Sequence, residues 1–490
     1  MSLYIPHWLD KQAELTPNEI AIEQPTGETI TFRKLQSSSQ AYARKLASLG
    51  IQAGDHLAIL SGNKPEMVMA VHAISYLGAV AVLLNTRLTA SEIAFQLEDA
   101  EVVGLLCDDD TESLAIDASE GRSFTPVTFS KLERTTQRAV DLKEEINLTD
   151  VFTIMYTSGT TGFPKGVIHT YENHWWSASA SSLNLGLHKS DKWLASLPLF
   201  HVGGFSIALK SVIYGMPMYL LPRFDVHVAH DAIMHQGVTI ISVVTVMVDQ
   251  LLAKLELDGN ITYPDTFRCM LLGGGPAPKS LLEKAKDLSV PIFQTYGLTE
   301  TSSQIATLSP KDALEKLGSA GKALMPAQLK IVQNGTEASP GEAGEIFVKG
   351  PMVSSGYYKR EPKNDAWLAT GDVGYEDEEG FLYVLDRRKD LIVSGGENIY
   401  PAEIEGVLLS MEGVIEAGVI GKSDPKWGQV PVAFVVTENH VTEGALKEYC
   451  LSRLAKYKVP TVFYFVDALP RNASNKLLRY KLQEQLYEQN

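Results

Sequence analysis

Cysteine is nearly missing: Cys107, Cys269 and Cys450 are the only three in 490 residues, odd in number and far apart. A disulfide-stapled scaffold and a cysteine-ligated metal domain are both excluded, because neither spacing occurs. Long Lys/Arg tracts are missing too, and 43 basic against 59 acidic side chains leave a net charge of −16. Nucleic acids and anionic membranes call for a concentrated basic surface, so neither is an expected partner. Any anionic ligand must be met by a local site. The N-terminus "MSLYIPHWLDKQAELTP" has no basic stretch leading into an apolar one, so no signal peptide is expected. Internal repeats and low-complexity tracts are also absent.

A single uncharged run, Met67 to Leu84 ("MVMAVHAISYLGAVAVLL"), has the length of a membrane span. Gly78 divides it, with helix-like spacing before and a β-branched run after. The expectation is a buried helix, a glycine stop and a buried strand, in a cytoplasmic protein. A length of 490 residues exceeds one compact core, and at roughly 150 residues per domain it predicts two to four folding units.

Over the first 300 residues short apolar runs alternate with helical patterns: "HLAIL" (56–60), "AVAVLL" (79–84), "VVGLLC" (102–107), "PMYLL" (217–221), "TIISVV" (239–244) and "CMLLGGG" (269–275). Several are apolar on both faces, as parallel strands covered by helices are. From about Gly318 short strands ("LKIVQNG", "GEIFVKG", "GFLYVLD") stand between Gly-rich turns, the texture of an antiparallel or barrel-like segment. The charged pentapeptide "DRRKD" (386–390) marks a further break. After it, strands ("EAGVIG", "PVAFVV", "VFYFV") and helical patterns ("EGALKEYCLSRLAKY") predict a small α+β domain.

"VFTIMYTSGTTGFPKGVIHTYENHWW" reads strand, loop, short strand, helix. In the loop, Gly159, Gly162 and Gly166 let backbone approach an anion. Thr157, Ser158, Thr160 and Thr161 bring hydroxyls, and Lys165 brings a charge. In a Walker loop the lysine precedes Ser or Thr, whose hydroxyl holds Mg²⁺. Here Gly166 follows Lys165, so a metal ligand must lie elsewhere. A plain surface loop is the bland alternative, but a loop so rich in hydroxyls after a buried strand disfavours it.

Four further stretches carry weaker signals on their own. In "SLPLFHVGGF" (196–205) His201 stands before a glycine pair, where a core or surface histidine is the commoner reading. In "QTYGLTETSSQ" (294–304) Thr299 and Glu300 follow a glycine turn, and Glu300 offers a hard oxygen ligand for Mg²⁺. In "ATGDVG" Asp372 sits in a tight glycine turn, where its carboxylate can accept two ribose hydroxyls, although turn chemistry alone explains such pairs. In "LPRNASNKLLRYKL" (469–482) Lys476 lies in a polar turn ahead of a terminal helix.

Together and in this order over some 320 residues, these stretches and "DRRKDLIVSGGENIYP" resemble the signature series of the acyl-adenylate-forming superfamily. That superfamily contains acyl-CoA synthetases, peptide-synthetase adenylation domains and luciferases. The resemblance implies an α/β fold with a large N-terminal domain, 1–386, of stacked α/β sheets plus a distorted β-barrel. A small mobile α+β domain, 387–490, would follow, with a hinge at Lys389. It also implies an ATP-, Mg²⁺- and coenzyme A-dependent acid–thiol ligase releasing AMP and pyrophosphate.

Carried over residue by residue, Thr157 to Lys165, with Ser158, Gly159, Thr160 and Thr161, would release pyrophosphate, and Glu300 would hold Mg²⁺. Thr299 would meet the α-phosphate, and Asp372 and Arg387 the ribose. Tyr296 would lie against adenine beside the backbone of Gly273, Gly274, Gly275 and Pro276. Lys476 would bridge acyl carboxylate and α-phosphate, and His201 would border the acyl pocket. Gly395 and Gly396 would approach the pantetheine arm.

"LLGGGPAP", "QTYGLTETSSQIATLSP" and "SGGENIYPAEIE" most resemble the o-succinylbenzoate–CoA ligases of menaquinone synthesis. That acid carries a second carboxylate, so a small pocket with polar donors is expected, with Ser302 and Ser303 in it. An aryl- or medium-chain fatty-acid–CoA ligase suits the same motifs. A carrier-protein-loading adenylation enzyme is a further alternative, although no carrier domain follows. A non-catalytic binding protein is disfavoured by Lys476, Glu300 and Asp372 occurring together. The partners implied are small molecules only; a homo-oligomer is compatible with the sequence.

Overall fold

The runs that are apolar on both faces become parallel strands. In a nine-stranded sheet the central strands Trp193–Ala195, Ile240–Val243, Cys269–Leu272 and Ile292–Leu298 pair in parallel, and Met218–Leu220 and Ile20–Glu23 extend one side. Alternate residues supply two cores, because strand side chains point to opposite faces. Trp193, Ile240, Cys269 and Phe293 pack under the helices Phe32–Ser48, Pro65–Leu77 and Val202–Tyr214. Leu194, Ile241, Met270 and Ile292 pack under Val226–His235 and Thr245–Leu257. The far edge turns antiparallel, where Ser303–Thr307 folds back on Ile292–Leu298.

This computed structural model describes residues 3–157, 164–259, 262–274, 279–313, 315–333, 335–361, 367–387, 390, 392–399, 401–438, 441–470, 477 and 479–488. Chain packing divides it into two units. The larger comprises Met1–Thr86, Leu97–Met155 and Gly166–Asp386; the smaller comprises Arg87–Gln96, Tyr156–Lys165 and Arg387–Asn490.

A second sheet, of six strands, has Lys165–Thr170 and Val151–Thr157 at one edge, followed by Val80–Leu84 and His56–Leu60. The run 67–84 resolves as expected. A helix ends at Leu77, Gly78 caps it in the left-handed region (φ 69°), and the strand Val80–Leu84 is buried throughout. Among the described residues no helix is long and apolar enough to cross a membrane.

The Gly-rich segment after Gly318 forms a five-stranded sheet in which Gln328–Gln333, Gly344–Lys349 and Leu368–Glu376 pair antiparallel. In the smaller unit Val414–Asp424 and Gly428–Thr437 form a long hairpin, with Phe463–Phe465 parallel to it and helices Pro401–Leu409 and Glu443–Leu451 packed through Ile404, Leu408 and Leu446. The helical pattern expected over 443–457 is shorter than its sequence suggested, ending at Leu451 before a separate turn at Lys456–Lys458. All three cysteines are buried and free.

Candidate active site

Thr299 and Glu300 stand in a one-turn 3-10 helix, Thr299–Thr301, between the strands Ile292–Leu298 and Ser303–Thr307. The glycine before them is not the turn glycine expected. Gly297 lies inside the strand at a register shift, and a Cβ there would come within 1.9 Å of the Ser303 carbonyl. It is glycine because two backbones touch, whereas the turn is made by Ser302 (φ 55°) and Ser303 (φ 115°). Positive φ is costly for residues with a Cβ, so the surroundings must hold the turn.

They do so with hydrogen bonds. His169 Nε2 donates to the Thr299 carbonyl at 2.7 Å, and the Ser354 amide donates to the Glu300 carbonyl at 2.8 Å. Ser177 donates to the Ser302 carbonyl at 2.7 Å, from a helix whose start is secured by the Thr170–Asn173 capping box; such a cap contributes about 1 kcal/mol. The Glu300 carboxylate takes the Tyr357 hydroxyl at 2.8 Å. Ser302, expected at an acyl pocket, is fully buried and donates to the Met352 carbonyl at 2.9 Å. It braces the turn instead of facing a pocket. Ser303 is half-buried and pairs with Ser206 at 3.4 Å.

Asp372 also differs from expectation. It sits within the strand Leu368–Glu376, not in a turn, where a register shift and Gly371 (φ 78°) bulge the backbone. The bulge aims its carboxylate at the other sheet, and the Tyr296 hydroxyl donates to it at 2.7 Å. Gly273 and Gly274 follow the C-terminal end of the strand Cys269–Leu272. Ligands of open α/β sheets bind beyond those ends. Side-chain-free backbone there leaves room that a Cβ at Gly273, 3.1 Å from Thr295 Cγ2, would narrow.

His201 precedes the helix Val202–Tyr214 and stacks edge-on against Phe200, with ring centroids 4.8 Å apart. Nine residues on, the same helix carries Lys210, which is only 2% exposed. Its ammonium donates to Gln304 Oε1 at 3.1 Å and lies 5.0 Å from the Trp193 ring centre. Among the described residues it has no ion pair. Burial pulls its pKa down to about 7, against an opposing pull from the Cys269 thiol, itself pushed up to about 12. A buried cation without an anion is expensive unless a ligand supplies one. The clue was present in "GGFSIALKSVIY", a lysine alone in an apolar helical run.

In the smaller unit Thr157 ends one strand and Lys165 begins the next. Gly395 (φ 56°) and Gly396 (φ 85°) make a two-residue hairpin turn between Ile392–Ser394 and Glu397–Ile399. Such a turn needs positive φ at both central positions, and a Cβ at Gly395 would meet Trp427 at 2.8 Å. Ser158, Gly159, Thr160, Thr161, Gly275, Pro276, Lys389 and Lys476 lie outside the described residues, as does the side chain of Arg387.

Residues 9–358 match the AMP-binding enzyme family and residues 403–476 match the AMP-binding enzyme C-terminal domain. The chain belongs to the AMP-binding enzyme family. This AMP-binding enzyme is 56% identical over 489 residues to a 2-succinylbenzoate–CoA ligase of Oceanobacillus iheyensis, covering 98% of this chain and 100% of that one. It is 54% identical to the ligase of the same name from Bacillus cytotoxicus, over 99% of both chains. Among solved structures, it is similar to an o-succinylbenzoate CoA synthetase of Bacillus subtilis bound to the product analogue OSB-NCoA, with TM-score 0.93, 48% identity, and 98% and 99% of the two chains covered. The Bacillus subtilis enzyme in complex with ATP and magnesium ion matches with TM-score 0.75 and 48% identity, covering 98% and 100%. In the AMP-binding enzyme described here, sequence reasoning found the Thr299–Glu300 turn but missed His169, Lys210 and Tyr357. Their partners are 130, 94 and 57 residues away in the chain, and no local pattern announces them.

Proposed function

We propose that the protein is a 2-succinylbenzoate–CoA ligase, acting in the cytoplasm in menaquinone synthesis. The observation that carries this reading is the end-to-end likeness, above 50% identity, to ligases of that name. The chemistry has two halves. The succinyl carboxylate attacks the α-phosphorus of ATP; the bond to the bridging oxygen breaks, pyrophosphate leaves and acyl-AMP remains. The coenzyme A thiol, losing its proton, then attacks the acyl carbonyl; the acyl–phosphate bond breaks and AMP leaves.

The residues take the following roles in this reading. Thr299 meets the α-phosphate, and Thr157 to Lys165 guide pyrophosphate out. Asp372 and Arg387 hold the ribose, while Tyr296 and the backbone of Gly273 to Pro276 border adenine. Lys476 bridges the carboxylate and α-phosphate, offsetting the repulsion of two anions. His201 edges the acyl pocket, and Gly395 and Gly396 line the thiol route. Lys210, nine residues further along the chain, pairs with the ring carboxylate that is not activated.

Among the described residues no cluster of three metal-ligating side chains occurs. Magnesium would therefore be held by Glu300 together with substrate phosphates and water, where it would neutralise phosphate charge. Residues 1–386 and 387–490 act as two domains, with the hinge at Lys389 changing the reaction partner between halves.

A pyrophosphate-release screen with a panel of acids, with and without coenzyme A, tests the reading. Turnover of 2-succinylbenzoate with coenzyme A consumption is expected. Activity with long-chain fatty acids alone, or thiol transfer only to a carrier protein, overturns it.

A further inference from the structure

His169 is wholly buried on the strand Lys165–Thr170, and both of its ring nitrogens are engaged. Nε2 lies 2.7 Å from the Thr299 carbonyl and Nδ1 3.2 Å from Thr153 Oγ1; Thr153 Oγ1 is in turn 3.0 Å from His174 Nε2. A carbonyl can only accept, so Nε2 of His169 carries the proton. Burial holds this ring neutral, with its pKa down near about 4, so Nδ1 is a lone-pair acceptor. Thr153 must then donate to it, and the hydroxyl oxygen receives the His174 Nε2 proton. Each donor in the chain has one direction available, and its last bond lands on Thr299.

That last bond acts on a peptide plane. The Thr299 carbonyl and the Glu300 amide belong to one rigid unit. The Ser354 amide holds the next plane through the Glu300 carbonyl at 2.8 Å. With both flanking planes held, the backbone dihedrals of Glu300 are set, and Tyr357 orients its carboxylate. Both holds trace to adjacent residues of one strand, since the Ser354 hydroxyl bonds the Ile168 carbonyl at 2.5 Å next to His169. The same strand begins at Lys165, where the phosphate loop ends.

We propose that His169 is a positioning residue for adenylation: locked as the Nε2–H tautomer by Thr153 and His174, it sets the Thr299–Glu300 peptide against the reacting phosphate and its metal. This rests on the roles given to Thr299 and Glu300 above. His169 works through a main-chain oxygen; the Ser302 amide also donates to that oxygen at 3.0 Å from within the turn, and His169 ties it to the strand Lys165–Thr170.

The test compares His169→Gln, His169→Asn and His169→Leu in the full-length enzyme. Glutamine places an amide donor where Nε2 stood, asparagine places one nearer Nδ1, and leucine places none. Acid-dependent ATP–pyrophosphate exchange should fall on the order of 10- to 100-fold in the asparagine and leucine variants, as misplacement of a reacting group does. The glutamine variant should stay within about threefold, with the loss in kcat exceeding any change in KM for ATP.

Thioester formation from supplied acyl-AMP, which retains the α-phosphate but needs neither metal nor pyrophosphate release, should fall clearly less than exchange in the asparagine and leucine variants. Equal loss in the glutamine and leucine variants, equal loss in both half-reactions, or losses that track melting temperature would overturn the proposal. So would ¹⁵N histidine spectra of the wild type showing His169 protonated at Nδ1. Exchange uses whichever acid the wild type activates, so a wrong substrate shows in the wild type and a wrong role for His169 shows in the variants.

Discussion

Tyr296 and Asp372 meet across two sheets: the phenol donates to Oδ2 at 2.7 Å, with both side chains only 6% exposed. If Asp372 takes the ribose hydroxyls, this bond aims the carboxylate at them. A hydrogen bond to a charged group contributes about 1.5–3 kcal/mol. Tyr296→Phe should therefore raise KM for ATP roughly tenfold or more. Steady-state kinetics at saturating acid would show it; an unchanged KM would detach this pair from the nucleotide.

Glu300 and Tyr357 invite a magnesium titration. Tyr357→Phe removes the phenol that orients the carboxylate, and loss of such a supporting group typically costs about 10- to 100-fold in metal affinity. Half-maximal pyrophosphate release should shift to higher Mg²⁺ by about that factor. Glu300→Gln should lose activity that no excess of Mg²⁺ restores.

For Lys210 the informative variant is Lys210→Met, similar in length and uncharged. KM for 2-succinylbenzoate should rise on the order of 100-fold, whereas 4-oxo-4-phenylbutanoate, which lacks the ring carboxylate, should be handled alike by both proteins. Melting temperature should hold or rise, because the ammonium removed is buried with no ion pair among the described residues. In the wild type KM for the diacid should climb as pH passes about 7, where Lys210 loses its proton; Lys210→Met should show no such rise.

The two half-reactions separate the roles given to Lys476 and Lys389. Lys476→Ala should fail in acid-dependent pyrophosphate release yet convert supplied acyl-AMP to thioester. Lys389→Pro should do the reverse, because a fixed φ opposes the hinge. Equal loss of both steps in either variant would reject its assignment.

Four histidines set the acid limit of stability. Burial lowers His7 and His72 to about 3 and His169 to about 4, and it lowers His174 well below its ordinary value. Below pH about 6.5 the unfolded chain takes up protons that the folded one refuses, so stability falls as pH falls. Each such histidine contributes a slope of at most about 1.4 kcal/mol per pH unit, acting above the range where carboxylates titrate. Urea denaturation should show stability weakening as pH falls from 7.5, most steeply from 6.5 to 5. A flat profile down to pH 5 would place these rings in contact with water.

Much of the fold could be read from local pattern. Helix, Gly78 and strand over 67–84 follow from spacing and from the one residue that adopts φ 69° without strain. The motif order alone marks the superfamily. Two local readings were wrong for one reason. Gly297 and Asp372 look like turn residues in the chain, but each lies in a strand at a bulge, created by a neighbouring strand that the local sequence does not contain.

What the sequence by itself determined is therefore the periodic core, the order of the motifs and the kinds of chemistry they carry, because those depend on neighbours three or four residues away. Only the tertiary structure decided which groups hold those motifs in place. His169 reaches Thr299 across 130 residues, and Lys210 reaches Gln304 across 94. Burial, which no single segment possesses alone, keeps the first ring neutral and holds down the pKa of the second group, which has no ion pair among the described residues.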